Sequence, residues 1–240
     1  MAAVTDRLTE LKENLERVRR SIADACTTAG RSPDEVTLVA ITKTFPLDDV
    51  RALAALGVTD VGENREQELK AKAPEAQDLD VTWHFVGQLQ SKKARSVVRY
   101  ADVVHSVDRL SLVTALSRAA SSESRSIRCL LQVSLEEYGP GSAGGSRGGV
   151  EPGDVPALAD AVAAAEGLEL GGVMAVAPLG GDPAKAFDGL ASVAARLRSD
   201  HPGADWISAG MSEDLEAAIT RGATHVRLGR ALLGTRPVLG

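Results

Sequence analysis

Lys43 ends the run LVAITK at residues 38–43, where five apolar or β-branched residues lead to a charge with no turn signal between. A stretch rich in Val, Ile and Thr, preceded by the turn-forming GRSPDE, reads as a strand buried on both faces. Its charged end therefore belongs at a sheet edge or a barrel mouth. Two chemistries fit such a lysine. Its alkyl stem can carry a solvated ammonium outward, or its amine can be desolvated enough to be partly neutral and to attack a carbonyl carbon, forming a Schiff base. Two later stretches, AGMSEDLEAAI and RLGRALLG, gather groups that suit an anion. Gly210 admits a close backbone approach, and Ser212 offers a hydroxyl at a helix N-cap. Arg227 supplies a fixed cation at a strand end, and Gly229 opens a helical turn with another N–H group. Singly, SEDL is a helix cap and RLG a strand end.

What must bring these residues together is visible in the hydrophobic pattern. Val4, Leu8, Leu11, Leu15, Val18 and Ile22 recur by threes and fours, predicting a first helix that ends near Gly30. Strand and helix patterns then alternate. TLVAITK, TDVGEN, VTWHFVG, VVHSV, RCLLQVS, LELGGVMA, DWISAG and THVRLG are the eight strands, the first seven each followed by a helical stretch and the last by a short closing segment. Such alternation predicts parallel pairing and a single α/β domain over residues 1–240, a (β/α)8 TIM barrel at 36–240 preceded by the helix at 1–30. The glycine- and serine-rich segment at 136–154 follows strand five and falls on the C-terminal rim, as a lid or a tolerated insertion.

In this architecture the strand ends converge on one mouth, and the residues there are Lys43, Asn64, His84, Ser212, Arg227 and Gly229. Barrels of this kind often bind phosphate through the loops after strands seven and eight, which here hold Ser212 and Gly229. An aldehyde-reactive lysine facing a phosphate cradle suggests pyridoxal 5'-phosphate. Asn64 reads equally as a strand-end cap, and His84 as a hydrogen-bonded core imidazole. Met174 and Met211 suit packing around a ring.

Composition narrows the alternatives. Charged residues make up 25% and hydrophobic residues 44%, as in soluble enzymes, while aromatic residues at 3% offer little stacking surface for single-stranded nucleic acid. A formal net charge of -6 repels phosphate backbones and anionic membranes. No stretch approaches the ~18 apolar residues of a membrane span, and the charged MAAVTDRLTELKENLERV is unlike a signal peptide, so a cytoplasmic location is expected. Cys26 and Cys129 match no metal or redox spacing and read as small buried apolar residues.

The blocks LVAITKT, VGENREQE, WHFVGQLQSKK, GGVMAV, SAGMSEDLEAAI and THVRLGRALLG, in this order, resemble the pyridoxal phosphate homeostasis protein family, which is related to the N-terminal barrel of alanine racemase and other fold-type III pyridoxal phosphate enzymes. The resemblance covers nearly the whole chain from strand one onward. It implies that Lys43 forms the Schiff base with the cofactor, and that Ser212, Gly229 and the N–H of Arg230 hold the phosphate. It also places Arg227 beside the cofactor, at the pyridine nitrogen or the phosphate, and Asn64, His84 and Met211 around the same mouth. Two departures stand out. Where members of the family commonly carry lysine in a pattern like SKSG, this chain reads SRGG with Arg147, so a transfer step through that lysine is not carried over. QSKK replaces the frequent QSNK, with Lys93 at the matching lysine and Lys92 as an added charge.

The function implied is a carrier that holds pyridoxal phosphate and maintains its supply without catalytic turnover, as a monomer or weak dimer, with apo-enzymes as recipients. The alternative is a racemase-like enzyme of low activity. Racemases of this barrel draw an opposite-face base from a second domain, and here the barrel uses the chain up, leaving only Tyr100 and Tyr138. A metal-dependent hydrolase using His84, His105 and Glu63 lacks a tight ligand cluster, and no metal is expected.

Overall fold

In the computed structural model, described over residues 2–139 and 148–235, eight parallel strands close into a barrel in sequence order. They are β1 (Thr37–Ile41), β2 (Asp60–Glu63), β3 (Thr82–Phe85), β4 (Val103–Val107), β5 (Ile127–Gln132), β6 (Leu168–Met174), β7 (Trp206–Ser208) and β8 (His225–Leu228). The ring closes between β1 and β8, in register from Thr37 opposite His225 to Ala40 opposite Leu228. Outside it lie α1 (Ala2–Ala29), α2 (Leu47–Ala55), α3 (Glu66–Lys72), α4 (Ala94–Val98), α5 (Leu110–Glu123), α6 (Val155–Ala163), α7 (Pro183–Asp200), α8 (Leu215–Ile219) and α9 (Arg230–Leu233). All eight expected strands are present. The seventh is shortest, because Gly210, at φ 94°, turns the chain soon after it. A side chain at Gly210 would come within 2.8 Å of the Ala218 methyl.

Strand alternation sorts residues between two spaces. Ala40, Val61, Phe85, Val104, Leu131, Val173 and Ile207 face the helices and form the main apolar core. The opposite phase turns inward, and there the barrel is partly polar: His84, His105, Ser208 and Arg227 are all buried. Cys26 and Cys129 are buried free thiols, and burial pushes the Cys129 thiol up to about 12.

The first helix docks where the barrel closes. Val18, Ile22, Ala25 and Cys26 pack on Ile219, Val226 and Leu228, while Asn14 Nδ2 donates to Leu232 O at 2.9 Å and Arg7 Nη2 to Leu233 O at 3.0 Å. Leu8 departs from the expected stripe and is 41% exposed. At that level Arg7 reaches α2 instead, donating to both oxygens of Asp49.

Candidate functional site

The C-terminal mouth holds a cavity of about 940 Å³. Ile41 and Lys43 line it from β1 and its following turn, residues 177–181 and Pro183 from the loop after β6 and the start of α7, Met211, Ser212, Glu213 and Asp214 from the loop after β7, and Arg227, Gly229 and Arg230 from β8 and the start of α9. Six of the eight expected site residues thus share one cavity: Lys43, Met211, Ser212, Arg227, Gly229 and Arg230.

The backbone around Lys43 is gripped on both sides. Thr42 gives its hydroxyl to Glu63 Oε1 (2.7 Å) and its carbonyl accepts from Lys72 Nζ (2.8 Å). Thr44 gives its N–H to Glu68 Oε2 (2.7 Å) and holds φ 69°, a left-handed conformation that a β-branched residue seldom adopts. Such strain persists only where surrounding contacts enforce it. Burial pushes the Glu63 carboxyl up from its ordinary value, against the opposing pull of Lys72 and Thr42. Of these gripping residues the sequence singled out only Glu63, and that as a ligand of the alternative metal-dependent hydrolase. The acid–base spacing of Glu63, Glu68 and Lys72 is too common in helices and strand ends to signal them.

Across the cavity lie several donors, with the carboxylates of Glu213 and Asp214 beside them. Gly229 is the N-cap of α9 and its carbonyl accepts from the N–H groups of Leu232 and Leu233, so the N–H groups of Arg230 and Ala231 are the ones without a partner within the helix. Arg227 is 6% exposed and gives one N–H to Ser208 Oγ and one to Ala175 O, at 2.6 and 2.8 Å. Burial pushes it down to about 10, with Asp214 acting in the opposite sense, so it remains a cation at neutral pH. Ser212 is exposed in the cavity wall but does not cap α8. Asp214 is the N-cap, and its carboxylate accepts the Met211 N–H at 2.5 Å. After Gly210 the chain makes a turn before the helix begins, which displaces the cap by two residues.

Asn64 and His84 are placed elsewhere. Asn64 follows β2 on the same rim, exposed and outside the cavity wall, with its carbonyl packed so close to Gly87 that a Cβ there would lie 2.1 Å away. His84 is fully buried inside the barrel, with Nε2 3.0 Å from Asp60 Oδ1 and Nδ1 2.8 Å from His105 Nε2. Phe85 still follows it in β3, so it lies short of the strand end and points into the barrel. The core-imidazole reading is the one its geometry fits. His84, His105 and Glu63 do not converge on one point, since Glu63 is taken up by Lys72 and Thr42. No group of three metal-ligating side chains occurs among the described residues. The loop at 136–154 is described only at its two ends, and Arg147 lies outside the described residues. No helix among the described residues is long and apolar enough to cross a membrane.

An amine on one wall and a hydroxyl, backbone N–H groups and a guanidinium on the other suit a small molecule bearing both a reactive carbonyl and a phosphate. The cavity has room for one of cofactor size.

Known proteins point the same way. The family described as alanine racemase, N-terminal domain, matches residues 7–237. The pyridoxal phosphate homeostasis protein of Mycobacterium bovis is 45% identical, over 98% of this chain and 96% of its own length. The structure of PipY from Synechococcus elongatus with PLP bound superposes with a TM-score of 0.79 at 35% identity, over 93% of this chain and 100% of that one. Alanine racemase from Corynebacterium glutamicum shares the fold at 17% identity and a TM-score of 0.68, over 97% of this chain and 62% of its own.

Proposed function

The chain belongs to the pyridoxal phosphate homeostasis protein family, and we propose that it binds pyridoxal 5'-phosphate in the C-terminal cavity, attaches it covalently at Lys43, and keeps it in reserve for apo-enzymes that use it. The observation that carries this reading is the meeting of Lys43 with Ser212, Gly229, Arg230 and Arg227 around one cavity. The cofactor's aldehyde supplies an electrophilic carbon, and its phosphate an anion. Lys43 is the nucleophile. Ser212 and the N–H groups opening α9 hold the phosphate, and Met211 packs beside the ring. Arg227 donates to the ring nitrogen or the phosphate, and a cationic donor at that nitrogen keeps it from taking a proton. Asn64 acts from the rim.

The protein works without catalytic turnover. Supporting this, Asp214 is engaged with the Met211 N–H, Arg230 lies 3.5 Å from Glu213, and Tyr100, in the turn after α4, packs against the outer core, away from the cavity. Its place is the cytoplasm, as a monomer or weak dimer, in one domain. The test is uptake of pyridoxal phosphate followed by an absorbance spectrum, borohydride reduction and peptide mapping. Label at Lys43 is expected; label mainly on another lysine, such as Lys93, would overturn the assignment.

A further inference from the structure

The polar residues inside the barrel form one continuous line. Asp60 Oδ1 is 3.0 Å from His84 Nε2, His84 Nδ1 is 2.8 Å from His105 Nε2, His105 Nδ1 is 3.0 Å from Ser208 Oγ, and Ser208 Oγ is 2.6 Å from Arg227 Nη1. Its two ends open on opposite faces. Asp60 begins β2 and lines a second cavity, of about 430 Å³, at the N-terminal mouth, together with Trp206 and His225. Arg227 lines the C-terminal cavity.

The two ends fix every proton between them. A guanidinium only donates, so Ser208 Oγ accepts from Arg227. Among the described residues the hydroxyl has one other hydrogen-bond neighbour, His105, to which it gives its own proton. Burial, with His84 and Arg227 nearby, holds His105 well below its ordinary value, so it is neutral. Accepting at Nδ1, it carries its proton on Nε2 and donates to His84 Nδ1. His84 then donates from Nε2 to the Asp60 carboxylate. Were His84 an imidazolium, His105 would turn its Nδ1–H toward Ser208. That hydroxyl would face two donors and leave its own proton without an acceptor in a buried place.

We infer that Ser208, His105 and His84 are positioning residues for Arg227, and that their one-way hydrogen-bond line couples the charge of Asp60 at one mouth to the guanidinium at the other. A buried cation with no carboxylate in direct contact among the described residues thereby acquires a remote counter-charge. The neighbours facing the line are few. Thr59 Oγ1 donates to Asp60 Oδ2 at 2.7 Å. His225 stacks on Trp206, its centroid 3.9 Å away, and burial pushes it down to about 3. Arg128 lies over the Trp206 ring, 4.4 Å from its centroid, and pairs with Glu169, Asp102 flanks the same mouth, and Asp214 acts on Arg227 from the far end. Burial works to raise the Asp60 carboxyl, but the hydrogen bonds from His84 and Thr59, together with the nearby imidazoles of His84 and His225, outweigh it and leave it below its ordinary value. Asp60 is therefore an anion at neutral pH.

The first test needs no cofactor. Long-range 1H–15N spectra of histidine-labelled apo-protein at pH 7.5 should show His84 and His105 both neutral with the proton on Nε2. An imidazolium at His84, or an Nδ1–H tautomer at His105, would overturn the proton order. The second test rests on the proposed cofactor reading. Ser208→Ala should weaken pyridoxal phosphate binding by about tenfold, with Ser208→Thr recovering it, and unchanged affinity in Ser208→Ala would overturn the positioning role. Asp60→Asn should move the pH midpoint of the bound cofactor's visible band by about 0.3 unit or more. That shift should vanish in the Ser208→Ala background; a full-sized shift there would replace the line with a field acting through space. If the wild type takes up no cofactor, the reading of the cavity fails, while the histidine spectra still decide the line.

Discussion

Lys72 Nζ lies 2.7 Å from Glu63 Oε1, both groups are largely shielded from solvent, and the pair closes on Thr42, the residue before Lys43. An ion pair of this kind adds little net stability, because each charge loses its hydration. Its value here is geometric: it fixes the turn from which the reactive amine projects.

Removing one partner should expose that role. Lys72→Met leaves the Glu63 carboxylate buried without its cation and is expected to destabilise the protein by about 3–5 kcal/mol in chemical denaturation. The double variant Glu63→Gln with Lys72→Met should recover much of the loss. If borohydride labelling of Lys43 is as fast in the double variant as in the wild type, the pair does not set the amine's position.

Glu63 also predicts a pH dependence. Its folded-state value is raised, chiefly by burial, so the folded protein holds a proton there that the unfolded chain has already released. This group's contribution therefore falls as pH rises from the ordinary carboxylate value toward the raised one. Urea midpoints across that window should decline less in Glu63→Gln than in the wild type.

Lys43→Ala should abolish reducible attachment of pyridoxal phosphate and leave the fold intact, since a half-buried amine beyond the strand contributes little packing. Mass spectrometry after borohydride treatment and a thermal melt check the two halves.

Ser212→Ala and Arg227→Gln should each weaken cofactor retention while preserving attachment at Lys43. Loss of a hydrogen bond to a charged group is worth roughly 1.5–3 kcal/mol, or about tenfold or more in affinity. Equilibrium dialysis with unchanged affinity in both variants would move the phosphate elsewhere.

The eight strands were legible because parallel strands buried on both faces read as apolar runs, and Lys43 was legible because a charge interrupts one. Arg227 and Gly229 follow from the same logic. The cap at Asp214 was not, since Gly210 inserts a turn whose length no periodicity reveals. Nor was the depth of His84, because whether a polar residue near a strand end faces the rim or the interior depends on the barrel's stagger. The wall after β6, including Pro178 and Leu179, carried no chemical residue type to mark it.

The docking of α1 on β8, α8 and α9 sets an order of events during synthesis. Asn14 finds its partner Leu232 218 positions later, so the apolar stripe of the first helix emerges from the ribosome long before the surface that covers it exists. Every intermediate length of chain presents that stripe to solvent, together with an open sheet edge awaiting β8. The finished ring hides both at once, and the last step of its assembly is the one that joins the earliest and latest segments made.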